Sequence, residues 1–228
     1  MLYKTLNALS KQVIFCKNTY FFLFLVIFSF ILFANLLILH PQIKIKREML
    51  KKILVVIIKP KLGWQYIDDS GNSTQRVLSS VFFPLLAILA ISSFIPMIYD
   101  STITLSDTLM KAIVSFSGYM LTYFLCSYLL SGFYPEFSRS HIALAKLNNY
   151  LIYNLSFMII LQVLMNVLNA EFSVLYFMFL YMPYMAFNAL DFLGLKSGKR
   201  VKFFIISVLM MMVLPFLIIL ILNSLIKK

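Results

Sequence analysis

Two pairs of polar side chains interrupt the apolar part of the sequence, and each pair is a candidate binding site. Gln162 and Asn166 are four residues apart. Asn188 and Asp191 are three apart, so each pair shares one face of a helix. Because a charge inside a membrane helix is costly and usually functional, Asp191 is a candidate polar niche for an ion or a partner. The alternative, which we favour, is a helix end that brings Asp191 to the headgroup layer beside Lys196.

The amides of Gln162 and Asn166 are predicted to pack against a neighbouring helix. Such side chains form hydrogen bonds between membrane helices worth around 1 kcal/mol, so packing is favoured over a substrate site. His141, Cys16 and Cys126 lie far apart in the sequence and lack further ligands at suitable spacing. We therefore expect neither a metal site nor a disulfide framework.

Motifs of known catalytic chemistry do not occur in this sequence. It contains no Gly-rich phosphate loop, no His-Glu-x-x-His and no Gly-x-Ser-x-Gly. Intramembrane proteolysis requires a Ser-His pair or two aspartates at membrane depth, and the apolar stretches hold neither. We therefore expect no enzymatic activity and no bound cofactor.

The composition indicates that lipid covers most of the protein surface. Of the 228 residues, 62% are hydrophobic and 12% are charged, whereas a soluble domain is about half apolar and about a quarter charged. The net charge of +12 comes from Lys and Arg at the ends of apolar stretches, where such residues meet anionic lipid. This distribution argues against a nucleic-acid-binding face.

Six stretches are close to the roughly 20 apolar residues that a helix needs to cross a bilayer. Their apolar runs are continuous and lack the alternation of a membrane β-barrel, and membrane helices tolerate internal proline. We predict an all-α transmembrane helical bundle with five core helices and an extra N-terminal hydrophobic helix. The predicted spans are 20–39, 77–99, 112–134, 149–168, 172–190 and 202–226.

The segment 49–66 precedes the first core helix and is predicted to lie at the membrane interface. Residues 49–59 (MLKKILVVIIK) hold too short an apolar run to span, so they form an interfacial helix or a helix packed against the bundle. Pro60 ends this helix. Trp64 and Tyr66 follow next to lysines, and we predict both rings in the headgroup layer.

Connections rich in Lys and Arg alternate along the chain with connections that lack them, and this alternation predicts the orientation of the bundle. Under the positive-inside rule, the loop 40–76 is cytoplasmic and the C-terminus lies outside. The basic connections are 44–76, 136–146 and 196–200, whereas 100–107 and 169–171 carry acids and no base.

The N-terminal residues 1–48 allow two interpretations. They form either an extension whose helix 20–39 spans the membrane, or a segment upstream of the true start. Met49 opens MLKKILVVIIKPKLGW, which has the character of a natural start. A signal peptide is disfavoured, because the apolar run is long and no small-x-small cleavage site precedes His40. In both interpretations the membrane domain covers 49–228.

Several short motifs in the membrane domain occur in the arrangement of a known family. They are Lys59-Pro60-x-x-x-Trp64, Phe83-Pro84-Leu85-Leu86 at the start of the first core helix, Tyr150 and Tyr153, Tyr181-Met182-Pro183-Tyr184, and Pro215. In these features the chain resembles the Yip-domain (Rab- or Ypt-interacting) membrane proteins, and the bacterial members in particular. The resemblance implies five spans with a cytoplasmic N-terminus in a bacterial inner or plasma membrane.

The resemblance also implies a role. Eukaryotic members act in vesicle traffic and bind Rab-type GTPases, but their Tyr- and Gly-containing motif is not evident here, which argues against a GTPase partner. The expected function is a non-catalytic scaffold or interaction role in membrane organisation or trafficking. Its interface would include Lys59, Pro60 and Trp64, and its partners would be membrane lipids, membrane proteins or a second copy of the chain.

The alternative function is a small-solute permease or a transporter component. A transporter needs polar side chains along its pathway at membrane depth. The residues available for such a pathway are Gln162, Asn166, Asn188 and Asp191.

Overall fold

The computed structural model of this protein describes residues 43–137, 144–168 and 177–226. The hydrophobic stretch predicted at 20–39 and His141 lie outside the described residues. The chain divides into two compact units, Met1–Arg47 and Glu48–Lys228. All side-chain contacts given below lie within the second unit.

The described residues form helices and no β-strand, which confirms the predicted all-α fold. The α-helices are α1 Ile43–Ile58, α2 Pro60–Ser70, α3 Thr74–Tyr99, α4 Leu105–Phe137, α5 Leu144–Val167, α6 Tyr181–Asn188 and α7 Arg200–Ile226. Within the described part of the chain, four helical segments are long and apolar enough to cross a membrane. They are Thr74–Tyr99, Leu105–Phe137, Leu144–Val167 and Ser197–Leu225. These lengths and compositions are those of a multi-pass membrane protein.

The four long helices correspond to four of the predicted core spans. Each helix begins earlier than its predicted span, because its first turns contain polar residues that lie outside the apolar stretch. The predicted span 172–190 is described only from residue 177 onward. There α6 has eight residues between turns, a length of about 12 Å. The described part of this stretch is therefore a short helix that connects the long ones.

Proline shapes the first long helix. α3 begins at Thr74, passes through a π-helical segment at Leu78–Phe82, and continues as an α-helix over Phe83–Ser92. Pro84 has no N–H to donate to the preceding turn, and a π-helical turn is a common way to accommodate such a defect. Pro96 then begins the last turn of α3 after a bend.

Helix α5 is the central helix of the bundle. Residues 149–159 are buried on every side, because α3, α4, α6 and α7 all pack around this helix. In the most apolar part of α5, 67% of the residues are buried within the protein, compared with 17% in the segment that contains α7. α7 therefore lies at the periphery, where lipid would contact its apolar side chains.

Small residues allow α7 to approach α4 closely. A Cβ added to Gly118 of α4 would lie 2.7 Å from Cγ1 of Ile219 of α7. The Thr122 hydroxyl, one turn later, donates to the Gly118 carbonyl at 2.7 Å and so has its partner within α4. This close contact is typical of helix packing in membranes.

Hydrogen bonds gather three connections at one end of the bundle. Asn149 donates to the Asn72 carbonyl at 3.1 Å, and the backbone N–H of Lys196 donates to the Phe137 carbonyl at 2.9 Å. The end formed by residues 59–76, 134–137, 144–149 and 191–202 carries most of the described Lys and Arg side chains. We refer to it as the basic end.

Candidate functional site

A sharp corner between α1 and α2 lies at the basic end. Lys59 leaves the helical conformation (φ −133°, ψ 74°), and Pro60 begins α2, where its missing N–H is not needed. The two helices approach closely at Gly63, because a Cβ added there would lie 2.5 Å from the Cα of Val56. The corner therefore requires glycine at this position.

Trp64 attaches the corner to the rest of the bundle. Its side chain is 1% exposed, and its Nε1–H donates to the backbone carbonyl of Met185 at 3.0 Å. The indole stacks on Phe192 with centroids 5.3 Å apart and contacts Tyr150 and Tyr153 at 6.0 Å each. The headgroup position predicted for Trp64 is wrong, because the indole has apolar neighbours and a hydrogen-bond acceptor inside the protein.

A second hydrogen bond fixes the corner to α6. The hydroxyl of Tyr181 donates to the carbonyl of Ile57 at 2.7 Å. Tyr66, the other aromatic of the predicted interfacial segment, remains 46% exposed, and the ammonium of Lys52 lies 5.3 Å from its ring centroid. The two predicted interfacial aromatics thus have opposite environments.

A pocket of about 170 Å³ opens beside the corner. Trp64 and Phe192 supply its apolar wall, and the other lining side chains are polar or charged. α2 contributes one side of the pocket, and the end of α6 with the residues after it contributes the other. The lining residues are Lys61, Trp64, Gln65, Asp68, Asn188, Asp191 and Phe192.

Two ion pairs border this pocket. Asp68 pairs with Lys146 of α5, and the ammonium of Lys146 also lies 5.1 Å from the ring centroid of Phe192. Arg200 donates to Asp191 at 2.9 Å. All four charged side chains are at least 39% exposed, so each pair contributes about 0–1 kcal/mol. The carboxylates therefore keep lone pairs that can accept hydrogen bonds from a bound group.

The structure brings together three of the residues predicted as a site: Trp64, Asn188 and Asp191 line the same pocket. Lys59, which is exposed, and Pro60, which is buried, form the adjacent corner. The Asn188 amide donates to a carbonyl of its own helix at 2.8 Å. The sequence could not indicate this convergence, because α2 and α6 are separated by more than 100 residues.

The other predicted pair lies at the opposite end of the bundle. Asn166 is buried and its amide donates to the hydroxyl of Ser92 on α3 at 3.0 Å, which is the interhelical packing contact expected of it. Gln162 lies one turn earlier on α5 and is half-buried. Asn166 and Lys146 are 20 residues apart on one helix, a distance of about 30 Å. Gln162 and Asn166 are therefore not part of the pocket.

Sequence reasoning missed a polar interior in α5. The buried atoms Asn149 Oδ1, Tyr153 Oη, Asn154 Oδ1 and Ser156 Oγ have no hydrogen-bond partner among the described residues. Buried polar groups are normally satisfied, so such a group requires an explanation. The signal available in the sequence is the density of Asn and Tyr over 148–154.

Within the part of the chain that the structure describes, no three His, Cys, Asp or Glu side chains come close enough to hold a metal ion. Comparison of the chain with protein-family models, curated proteins and solved structures found no match. The pocket and the polar interior of α5 must therefore be interpreted from their own chemistry.

Proposed function

We propose that this chain is a non-catalytic multi-pass membrane protein of Yip type, with a scaffold or interaction role in membrane organisation or trafficking. The partner is a membrane protein or a second copy of the chain. The proposal depends on one observation, that Trp64 of the Lys59-Pro60-x-x-x-Trp64 segment supplies part of the apolar wall of the pocket, beside the corner that Lys59 and Pro60 form. One residue on which the resemblance to Yip proteins depends, Trp64, is thus also part of the candidate binding surface.

The size of the pocket favours a protein partner. Sites for small molecules usually enclose about 300–1,000 Å³, whereas this pocket has about 170 Å³. A space of this size accepts one or two side chains of a partner protein. Its aromatic wall, with a polar rim that includes Lys61 and Gln65, is the usual arrangement for a protein–protein contact.

The basic end of the bundle is proposed to face the cytoplasm, in a bacterial inner or plasma membrane. Arg76, Lys146 and Lys199 lie at this end, while Asp100 follows the opposite end of α3, and cytoplasmic loops carry an excess of Lys and Arg. In a Cys16→Ser background, a membrane-impermeant maleimide should label Ser101→Cys in intact cells and should not label Ser73→Cys. Labelling of Ser73→Cys alone would contradict this orientation.

A site-specific photocrosslink tests the partner-binding role. A benzoylphenylalanine group is placed at Gln65, which lines the pocket, and in the control variant at Tyr66, which is on the same helix but outside the pocket. Irradiation of native membranes should give a protein adduct at position 65 and none at position 66. An adduct of twice the chain mass would identify a second copy as the partner. The absence of any protein adduct at position 65 would contradict the proposal.

The polar interior of α5 favours transport as the second candidate. A solute pathway at membrane depth needs unsatisfied polar groups that face inward, and Tyr153, Asn154 and Ser156 supply them. Uptake of a radiolabelled amino-acid mixture would be compared in Asn154→Ala, Asp191→Ala and the parent chain. An uptake defect in these variants, without a protein adduct at Gln65, would favour the transporter over the interaction protein.

A further inference from the structure

The outer surface of the corner combines exposed aliphatic side chains with lysines. Leu54, Ile58 and Leu62 are 56%, 70% and 55% exposed. Lysine side chains on the same two helices are also exposed. We call this surface the corner face, and it consists of Lys51, Leu54, Ile58, Lys59, Lys61 and Leu62.

Helical periodicity explains why these side chains share one surface. On α1, Lys51, Leu54 and Ile58 follow an i, i+3, i+7 pattern and are exposed, while Ile53 and Val56 on the opposite face are buried. The bend at Lys59 then folds α2 back along α1. The exposed apolar side chains of both helices therefore take no part in the packing of α1 and α2 against the bundle.

The corner face is separate from the pocket on α2. Trp64, Gln65 and Asp68 line the pocket, whereas Leu62 and Tyr66 are exposed and project from the other side of the helix, about 110–150° from the centre of the pocket-lining side. Lys61 shares the pocket-lining side of α2 with Gln65 and Asp68 and is the corner-face residue that also lines the pocket. A partner in the pocket therefore leaves most of the corner face free.

Neither helix of the corner is long enough to span a membrane. α1 has 16 residues and α2 has 11, which correspond to about 24 Å and about 16 Å, whereas the hydrocarbon core is roughly 30 Å thick. The basic end, where the corner lies, is also where the long helices leave the apolar layer. A helix with lysines beside exposed aliphatic side chains at this depth has the composition of an in-plane interfacial helix.

We propose that the corner face binds anionic phospholipid at the membrane surface. The aliphatic tips of Leu54, Ile58 and Leu62 enter the boundary between headgroups and acyl chains. The ammonium groups of Lys51 and Lys59 contact the lipid phosphates. Charge complementarity identifies the occupant, because the six residues of the face include three lysines and no acidic side chain, and the exposed Asp69 follows Leu62 two turns further along α2. This inference goes beyond the proposed function, which concerns a protein partner in the pocket.

Lipid-specific fluorescence quenching tests this proposal on the full chain in nanodiscs. Cys16 is replaced by Ser, Cys126 is fully buried, and bimane is attached at Leu62→Cys. The control label is at Ser73→Cys, in the exposed loop before α3. Quenching is compared between doxyl-labelled phosphatidylglycerol and doxyl-labelled phosphatidylcholine, and aqueous iodide reports exposure to water. We expect phosphatidylglycerol to be the stronger quencher at position 62 and no preference at position 73.

Charge variants identify the lysines that cause the preference. Lys51→Gln/Lys59→Gln removes two positive charges from the corner face and leaves Lys61 and the pocket unchanged. Each lysine near an anionic surface changes the affinity on the order of fivefold, so the preference for phosphatidylglycerol should fall by about 25-fold. The matched variant Lys199→Gln/Lys202→Gln removes the same charge elsewhere at the basic end and should keep the preference.

Three results would overturn the proposal. They are iodide quenching at position 62 without lipid quenching, equal quenching by the two lipids, and protection from both quenchers. The last result would mean that a protein covers the corner face. The photocrosslink at Gln65 is independent of all three, so failure of this proposal and failure of the proposed function can be distinguished.

Discussion

The indole N–H of Trp64 donates to the backbone carbonyl of Met185, 121 residues later in the chain, at 3.0 Å. Met185 lies in the last turn of α6, where the backbone N–H of Ala189 bonds instead to the carbonyl of Ala186. The last four carbonyls of a helix lack intrahelical partners. Trp64 thus satisfies one orphan carbonyl of a short helix and at the same time fixes α2 to it.

Replacement of Trp64 by Phe should destabilise the fold. The variant removes the donor to Met185 and leaves a buried carbonyl without it, which costs about 1–3 kcal/mol, and the smaller ring also leaves a void. The free energy of unfolding in an SDS titration should fall by at least this amount. Tyr66→Phe is the control, because the Tyr66 ring is exposed, and it should change stability by less than about 0.5 kcal/mol. Equal stability of Trp64→Phe and the parent would contradict the anchoring role.

A methyl group at Gly63 should also be destabilising. In Gly63→Ala the new Cβ would lie 2.5 Å from the Cα of Val56, and backbone atoms cannot move aside as a flexible side chain can. Overpacking of this kind costs about 1–3 kcal/mol. Thermal unfolding in detergent, followed by circular dichroism, should show a lower midpoint temperature.

Gly132→Ala provides the matched control for that substitution. Gly132 also lies in a helix, but apart from its chain neighbours and the adjacent backbone of its own helix, no heavy atom lies within 4 Å of an added Cβ. Alanine is favoured over glycine in a helix interior by about 1 kcal/mol, so this variant should be as stable as the parent or more stable. A midpoint that falls equally in both variants would mean that the corner is not tightly packed.

The fold class could be predicted from the sequence, because continuous apolar runs of about 20 residues have few alternatives in lipid. The position of Trp64 could not, since a tryptophan next to lysines suits either a headgroup or a buried aromatic cluster. Only the glycine before it allows the corner to close and bury the ring. The pocket could not be predicted either, because it is bordered by contacts such as the Asp68–Lys146 ion pair, whose residues are 78 positions apart in the sequence.

The hydrogen bond between Asn166 and Ser92 should contribute little to stability. Their side chains are buried and 3.0 Å apart, but such bonds between membrane helices average about 0.6 kcal/mol. A double-mutant cycle with Asn166→Ala and Ser92→Ala should therefore give a coupling energy of about 0.5–1.5 kcal/mol. A coupling near zero would show that the contact is not formed in the membrane. A much larger value would indicate that Asn166 has a role in addition to packing.

Neutralising Asp191, which forms an ion pair with Arg200, should weaken partner binding with little loss of stability. Arg200 is 39% exposed and Asp191 is 79% exposed, so Asp191→Asn should cost at most about 1 kcal/mol of unfolding free energy, and less at high salt. The same change neutralises a charge on the rim of the pocket and should weaken capture of the protein partner by the photocrosslinker at Gln65. Lys199→Gln, a charge change at the basic end outside the pocket, should leave the adduct yield unchanged. If Asp191→Asn unfolds the chain, the pair is structural. If it leaves both stability and adduct yield intact, this rim of the pocket does not contact the partner.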